Sequence, residues 1–208
     1  LPAKTKIMGE PPMPHMPLMK STLQSNIDQL AELLPALAAF DAGVTKAAKT
    51  LGAALLSGNK LLACGNGGSA ADASHLTTEF VCRFNKDRRP YPAISLATHG
   101  GDLTAIGNDY AFDDIFSRQV EAFGQRGDVL MVFTSTGNSE NVRRALLAAK
   151  KAGVVSIAML GRTGGKCAGL ADIEFIVRHD VTARIQEAHK LLLHTICELV
   201  EVDLAAAK

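Results

Sequence analysis

An excess of charge, paired cysteines and long apolar runs are all missing from this sequence. Its 22 basic residues nearly cancel its 21 acidic ones, so no overall field draws the chain to nucleic acid or to a membrane surface. An anionic ligand must be captured locally. The cysteines, Cys64, Cys82, Cys167 and Cys197, are far apart and form no CxxC pair. That spacing argues against a zinc ribbon and a disulfide framework, and it fits a reducing cytoplasm. The proline- and methionine-rich stretch from Leu1 to Met19 has no apolar run long enough for a signal peptide or a membrane span. Residues 1–20 are read as a loose extension ahead of one domain over residues 21–208. No internal repeat is present.

What is there suits a substantial core, with 208 residues of which 47% are hydrophobic. From Ser21 to Leu56 apolar residues recur at three- and four-residue spacing, which predicts two packing helices split near Asp41 to Gly43. After Gly58 short apolar runs alternate with helical stretches, the pattern of a mostly parallel sheet covered on both faces. Strands are expected at Lys60 to Cys64, Ala93 to Leu96, Asp128 to Thr134, Val154 to Leu160 and Asp172 to Val177. Helices are expected at Ala70 to Phe84, Asp113 to Phe123, Glu140 to Ala152 and Arg184 to Leu204.

Two strand-to-helix turns carry the clearest chemistry, at the carboxyl ends of strands where open α/β sheets bind ligands. The first is Gly65-Asn66-Gly67-Gly68-Ser69. Its glycines let the backbone approach an anion, while Ser69 and the free N–H groups of the next helix donate. It is neither GxGxxG nor a P-loop, which disfavours dinucleotides and nucleoside triphosphates. The second is Thr134-Ser135-Thr136-Gly137-Asn138-Ser139. Its hydroxyls ahead of a helix make a neutral phosphate cradle. Either turn alone could serve only as a helix cap; two at equivalent positions favour a phosphate site.

On the helix after the first loop, His75 and Glu79 share one face. On the long C-terminal helix Gln186, Lys190 and His194 follow an i, i+4, i+8 line, with His189 competing on spacing. Should the two helices face each other, His75, Glu79, Gln186 and His194 could ligate a divalent metal or share proton transfers at a sugar carbonyl. Spacing alone does not choose, and an exposed helix pair is the plainer reading of His75 and Glu79. Arg83 could equally bridge to Glu79 or meet a substrate.

The segments CGNGGSAADASH, LTAIGNDYAFDDIFSRQVEAFGQRGDVL, TSTGNS and ARIQEAHKLLLH, in that order, resemble the sugar isomerase (SIS) domain and, within it, the phosphoheptose isomerases. The resemblance runs from about Leu51 to Val200. It implies a doubly wound five-stranded parallel sheet flanked by helices, with N-terminal helices, assembled as a homotetramer with sites at subunit interfaces. It also implies one zinc ion per subunit on the residues matching His75, Glu79, Gln186 and His194. Substrate binding carries over onto Asn66, Gly67, Gly68, Ser69, Arg83, Thr134, Ser135, Thr136, Ser139 and Gln186. Glu79 and His194 match the proton-transfer pair. The expected reaction converts sedoheptulose 7-phosphate to D-glycero-D-manno-heptose 7-phosphate, for bacterial surface-polysaccharide synthesis.

Three positions depart from the family pattern. The second loop begins Thr134-Ser135-Thr136 instead of Ser-Thr-Ser, His99 stands where an aspartate is common, and Ala183 replaces an aspartate before the RIQE run. Hydroxyls persist at every loop position, whereas His99 and Ala183 bear on how sugar hydroxyls are read. Two other readings stay open: an isomerase of another sugar phosphate, and a non-enzymatic relative that binds the replication initiator. Glu79 favours an enzyme over the latter.

Overall fold

The computed structural model describes residues 22–206, and the extension expected at residues 1–20 lies outside them. Five strands form the sheet: β1 (Leu61–Gly65), β2 (Ala93–Ser95), β3 (Val129–Thr134), β4 (Val155–Gly161) and β5 (Ile173–Val177). Their order is β2-β1-β3-β4-β5, and every neighbouring pair is parallel. The strands are apolar runs because both faces are covered. Leu61, Ala63, Val129, Met131 and Phe133 face one core cluster, while Leu62, Cys64, Leu130 and Val132 face the other. This alternation is the pleat of a doubly wound sheet.

The first layer contains α1 (Leu23–Leu37), α2 (Asp41–Leu56), α3 (Gly68–Val81) and α7 (Thr182–Ala206). Between β2 and β3 come α4 (Gly100–Asp109) and α5 (Ser117–Phe123), and α6 (Glu140–Ala152) follows β3. The second core cluster takes its helical residues from α5 and α6, with Leu103 and Ile106 of α4 packed against it. The connection leaves β1 toward β2 and then returns to the far side of β1 for β3, so the topological switch point lies between β1 and β3. Cys64 pairs with Val132 and Gly65 with Phe133. Both polar turns therefore emerge side by side at the carboxyl ends of adjacent strands.

Local chemistry shifts two expected boundaries and adds one helix. The break in the N-terminal helices falls at a 3-10 turn, Ala38–Phe40, and not at Asp41 to Gly43. Pro35 cannot donate the helical N–H bond, and α1 ends within a turn of it. Asp41 opens α2, where a carboxylate complements the helix dipole. Gly43 lies inside α2 because Phe175 packs there; a Cβ at that position would stand 3.0 Å from the ring. The helix expected from Asp113 is helical only over Ser117–Phe123, because Asp113 and Asp114 belong to a turn and pair with Arg144 of α6. Helix α4 was not expected at all, since it buries no residue and carries Gly100, Gly101 and Gly107. Among the described residues, no helix is long and apolar enough to cross a membrane.

Candidate active site

The two turns enclose a cavity of about 240 Å³ lined by Asn66, Gly68, Ser69, Thr134, Ser135, Thr136, Ser139, Thr182 and Gln186. Helices α3, α6 and α7 all begin at its rim, so three positive dipole ends lie beside it. No lysine or arginine lines it. An anion there is held by hydroxyls, amides and backbone N–H groups.

The cradle is pre-organised from within. The Asn66 and Asn141 amides exchange hydrogen bonds of 2.9 and 3.0 Å, tying the first turn to α6. Thr134 Oγ1 accepts from the Gly137 N–H at 3.2 Å and stands 3.3 Å from Ser139 Oγ. Gly137 has a φ of 68°, and a Cβ there would collide with the Gly164 carbonyl. A glycine is thus required where the 164–167 turn braces the loop, with Cys167 N–H donating to the Gly137 carbonyl. At Gly68 a Cβ would strike the Gln186 amide, so this glycine makes the room that brings α7 to the pocket.

Beyond Gln186, α3 and α7 meet. His75 Nε2 lies 2.8 Å from Glu79 Oε1 and 3.3 Å from His194 Nε2, and the two imidazole rings have centroids 5.0 Å apart. Phe84 covers His194 at 5.7 Å. Burial lowers the His194 pKa, with the neighbouring His75 and Lys190 acting in the same direction and Glu79 opposing. His194 is therefore a neutral imidazole at pH 7. Lys190 lies between Gln186 and His194 on α7. Its Nζ stands 2.9 Å from His75 Nδ1 and 2.7 Å from Asp72 Oδ1.

The structure thus brings His75, Glu79 and His194 together and sets Gln186 in the lining of the polar cavity between the two turns. The spacing rival His189 is fully buried, its Nε2 3.2 Å from the Leu160 carbonyl. Arg83 is exposed and donates to the Asn85 carbonyl at 3.1 Å; among the described residues it makes no ion pair with Glu79. His99 caps the start of α4, 3.6 Å from Asp102, and lines a separate cleft along β2. Ala183 is exposed and outside the cavity lining. Cys64 is core, and burial pushes its thiol pKa far up. All four cysteines are free.

Sequence reasoning missed Asn141, Thr182, Asp72 and Glu201. Glu201 is buried and accepts the Phe84, Asn85 and Lys86 N–H groups, fixing the loop that lays Phe84 on His194. Arg88 extends the support, donating to the Glu79 carbonyl at 2.7 Å.

The donor chemistry suits zinc: two imidazole nitrogens 3.3 Å apart match the edge of a tetrahedral shell with bonds of about 2.0–2.1 Å. As the side chains stand, however, no three His, Cys, Asp or Glu residues among those described surround a common point. A lysine already occupies the outer nitrogen of His75.

The SIS domain model matches residues 21–161. The phosphoheptose isomerase of Nitratidesulfovibrio vulgaris is 50% identical over 158 residues, covering 76% of each chain. That of Shewanella loihica is 45% identical over 183 residues, covering 86% of this chain and 89% of its own. Among solved structures, the phosphoheptose isomerase from Neisseria gonorrhoeae superposes with a TM-score of 0.78 at 41% identity, over 87% of this chain and 100% of that one. The one from Francisella tularensis gives a TM-score of 0.83 at 36% identity, over 86% and 96%. With the same sheet and a neutral anion cradle beside a carboxylate–imidazole cluster, the chain belongs to the SIS-domain family and, within it, to the phosphoheptose isomerases.

Proposed function

We propose that this protein interconverts sedoheptulose 7-phosphate and D-glycero-D-manno-heptose 7-phosphate through an enediol, supplying bacterial heptose for surface polysaccharide. The observation that carries this reading is the line of Gln186, Lys190 and His194 on α7. Gln186 closes the anion cavity, and His194 stands with His75 and Glu79 eight residues on, about 12 Å along the helix axis. A long, extended sugar phosphate spans that separation, with its phosphate in the cradle and its carbonyl end at the cluster. Anchoring the remote phosphate orients the reacting carbons and makes the proton transfer effectively intramolecular.

In this pose Glu79 takes the proton from C1 and returns it to C2, while neutral His194 carries the hydroxyl proton between O2 and O1. The aldehyde thus replaces the ketone with no net gain or loss of atoms. Zinc, one per subunit, would be held by His75, Glu79 and His194, with Gln186 as the fourth ligand once its amide turns from the anion cavity along α7, and would supply a Lewis acid for the carbonyl and enediolate oxygens. Exposed Leu23, Ile27 and Leu34 on α1 offer apolar surface for the homotetramer that the family pattern implies. The free cysteines suit a cytoplasmic setting.

The test offers the purified protein sedoheptulose 7-phosphate and, separately, ribulose 5-phosphate, and follows the aldose products by NMR. Conversion of the heptose in clear preference is expected. Preference for the pentose would replace the substrate, and conversion of neither would shift the reading to a binding protein.

A further inference from the structure

We propose that Lys190 is a built-in cation that holds His75 in the tautomer a divalent metal cannot use, so that this chain holds zinc weakly and exchangeably. The inference rests on placing zinc at the His75, Glu79 and His194 cluster. It concerns affinity and is separable from turnover.

An ammonium group has three donors and no acceptor. Lys190 Nζ, 2.9 Å from His75 Nδ1 and 2.7 Å from Asp72 Oδ1, therefore donates to both. His75 Nδ1 is then the unprotonated ring nitrogen, and its proton lies on Nε2, directed at Glu79 Oε1 2.8 Å away. Lysine, histidine and glutamate form one donor-to-acceptor chain. That chain places a proton on the nitrogen that faces His194.

A metal needs the opposite tautomer. Binding through Nε2 requires that nitrogen to be free of its proton and Nδ1–H to donate to an outer acceptor, most often a carboxylate or a carbonyl. Lys190 offers Nδ1 only another donor. Asp72 offers the alternative, since its second oxygen, Oδ2, is buried without a hydrogen-bond partner and sits on α3 one turn before His75. Metal entry thus has three linked parts: Lys190 leaves Nδ1, the imidazole proton moves to Nδ1, and Asp72 becomes its acceptor. Repulsion between the ammonium and the incoming dication acts in the same direction. Lys190 is partly exposed, so it can move to solvent without unpacking the helix.

The test titrates zinc into chelator-stripped protein by calorimetry in wild type, Lys190→Met, Lys190→Gln and His194→Ala, with ¹⁵N imidazole NMR of the metal-free chain. Both Lys190 variants are expected to bind zinc about tenfold or more tightly than wild type, the scale of outer-partner effects on metal affinity. His194→Ala is expected to lose the site. Metal-free wild type is expected to show the His75 proton on Nε2, moving to Nδ1 with zinc. Equal or weaker zinc binding by the folded Lys190 variants would overturn the proposal, as would a metal-free His75 protonated on Nδ1 or zinc binding that survives His194→Ala. Absence of zinc binding in every chain would refute the proposal and the zinc assignment together, while turnover measured without metal judges the isomerase reading separately.

Discussion

Replacing His189 should flatten the acid dependence of stability. His189 is fully buried under the ends of β3 and β4, with Nε2 on the Leu160 carbonyl and its ring 6.3 Å from that of Phe133. Burial dominates its electrostatics and lowers its pKa to about 4, against weaker opposition from the Leu160 hydrogen bond and the Asp72 charge. The unfolded chain takes up this proton near the ordinary histidine value of 6.5. Below that pH the unfolded state binds more protons than the folded state, so stability present above pH 6.5 is lost as the pH falls toward 4. A difference of about 2.5 units corresponds to about 3 kcal/mol at 1.36 kcal/mol per unit. Urea unfolding at fixed protein concentration, from pH 7.5 down to 4.5, measures it. His189→Leu should start about 1–2 kcal/mol less stable, because the Leu160 carbonyl loses its donor, and then lose less stability on acidification than wild type. Parallel pH profiles for the two proteins would refute the argument.

Three further perturbations probe the site's supports. Thr134→Val removes an acceptor for the Gly137 N–H and the partner of Ser139; a loss of about 1.4 kcal/mol should raise KM about tenfold, and an unchanged KM would contradict the cradle. Gly68→Ala drives a methyl group against the Gln186 amide; the variant should fold, as its circular dichroism will show, yet bind substrate several-fold more weakly. Glu201→Ala abandons three backbone N–H groups and Arg88 in a buried setting. It should cost about 3–5 kcal/mol in urea unfolding, and a loss below about 1 kcal/mol would show that the 83–86 loop is held by other contacts.

Much of this was legible in the sequence because the relevant signals are local. Five apolar runs bounded by polar turns mark the strands, and a buried parallel strand such as β3 cannot be polar on either face. Hydroxyls and glycines crowd the two turns at the switch point because an uncharged anion cradle needs them. The rest depends on packing between distant elements. Lys190 could be placed on a line with Gln186 and His194, but its bonds to His75 and Asp72 exist only once α3 meets α7. Asn141, Thr182 and Glu201 give no motif of their own; each matters through a partner many residues away. Helix α4 is invisible to apolar periodicity because Leu103 and Ile106 are its only large apolar residues and glycines flank them.

The central claim is that Glu79 carries a proton between neighbouring carbons of a phosphorylated heptose held by its remote phosphate. Conversion of sedoheptulose 7-phosphate in D2O, followed by NMR for deuterium at C2 of the aldose, tests it directly. Wild type should form the aldose with deuterium at C2, and folded Glu79→Gln should form almost none. Equal rates in the two proteins, or aldose without deuterium at C2 under conditions where the enediol exchanges with solvent, would contradict the account.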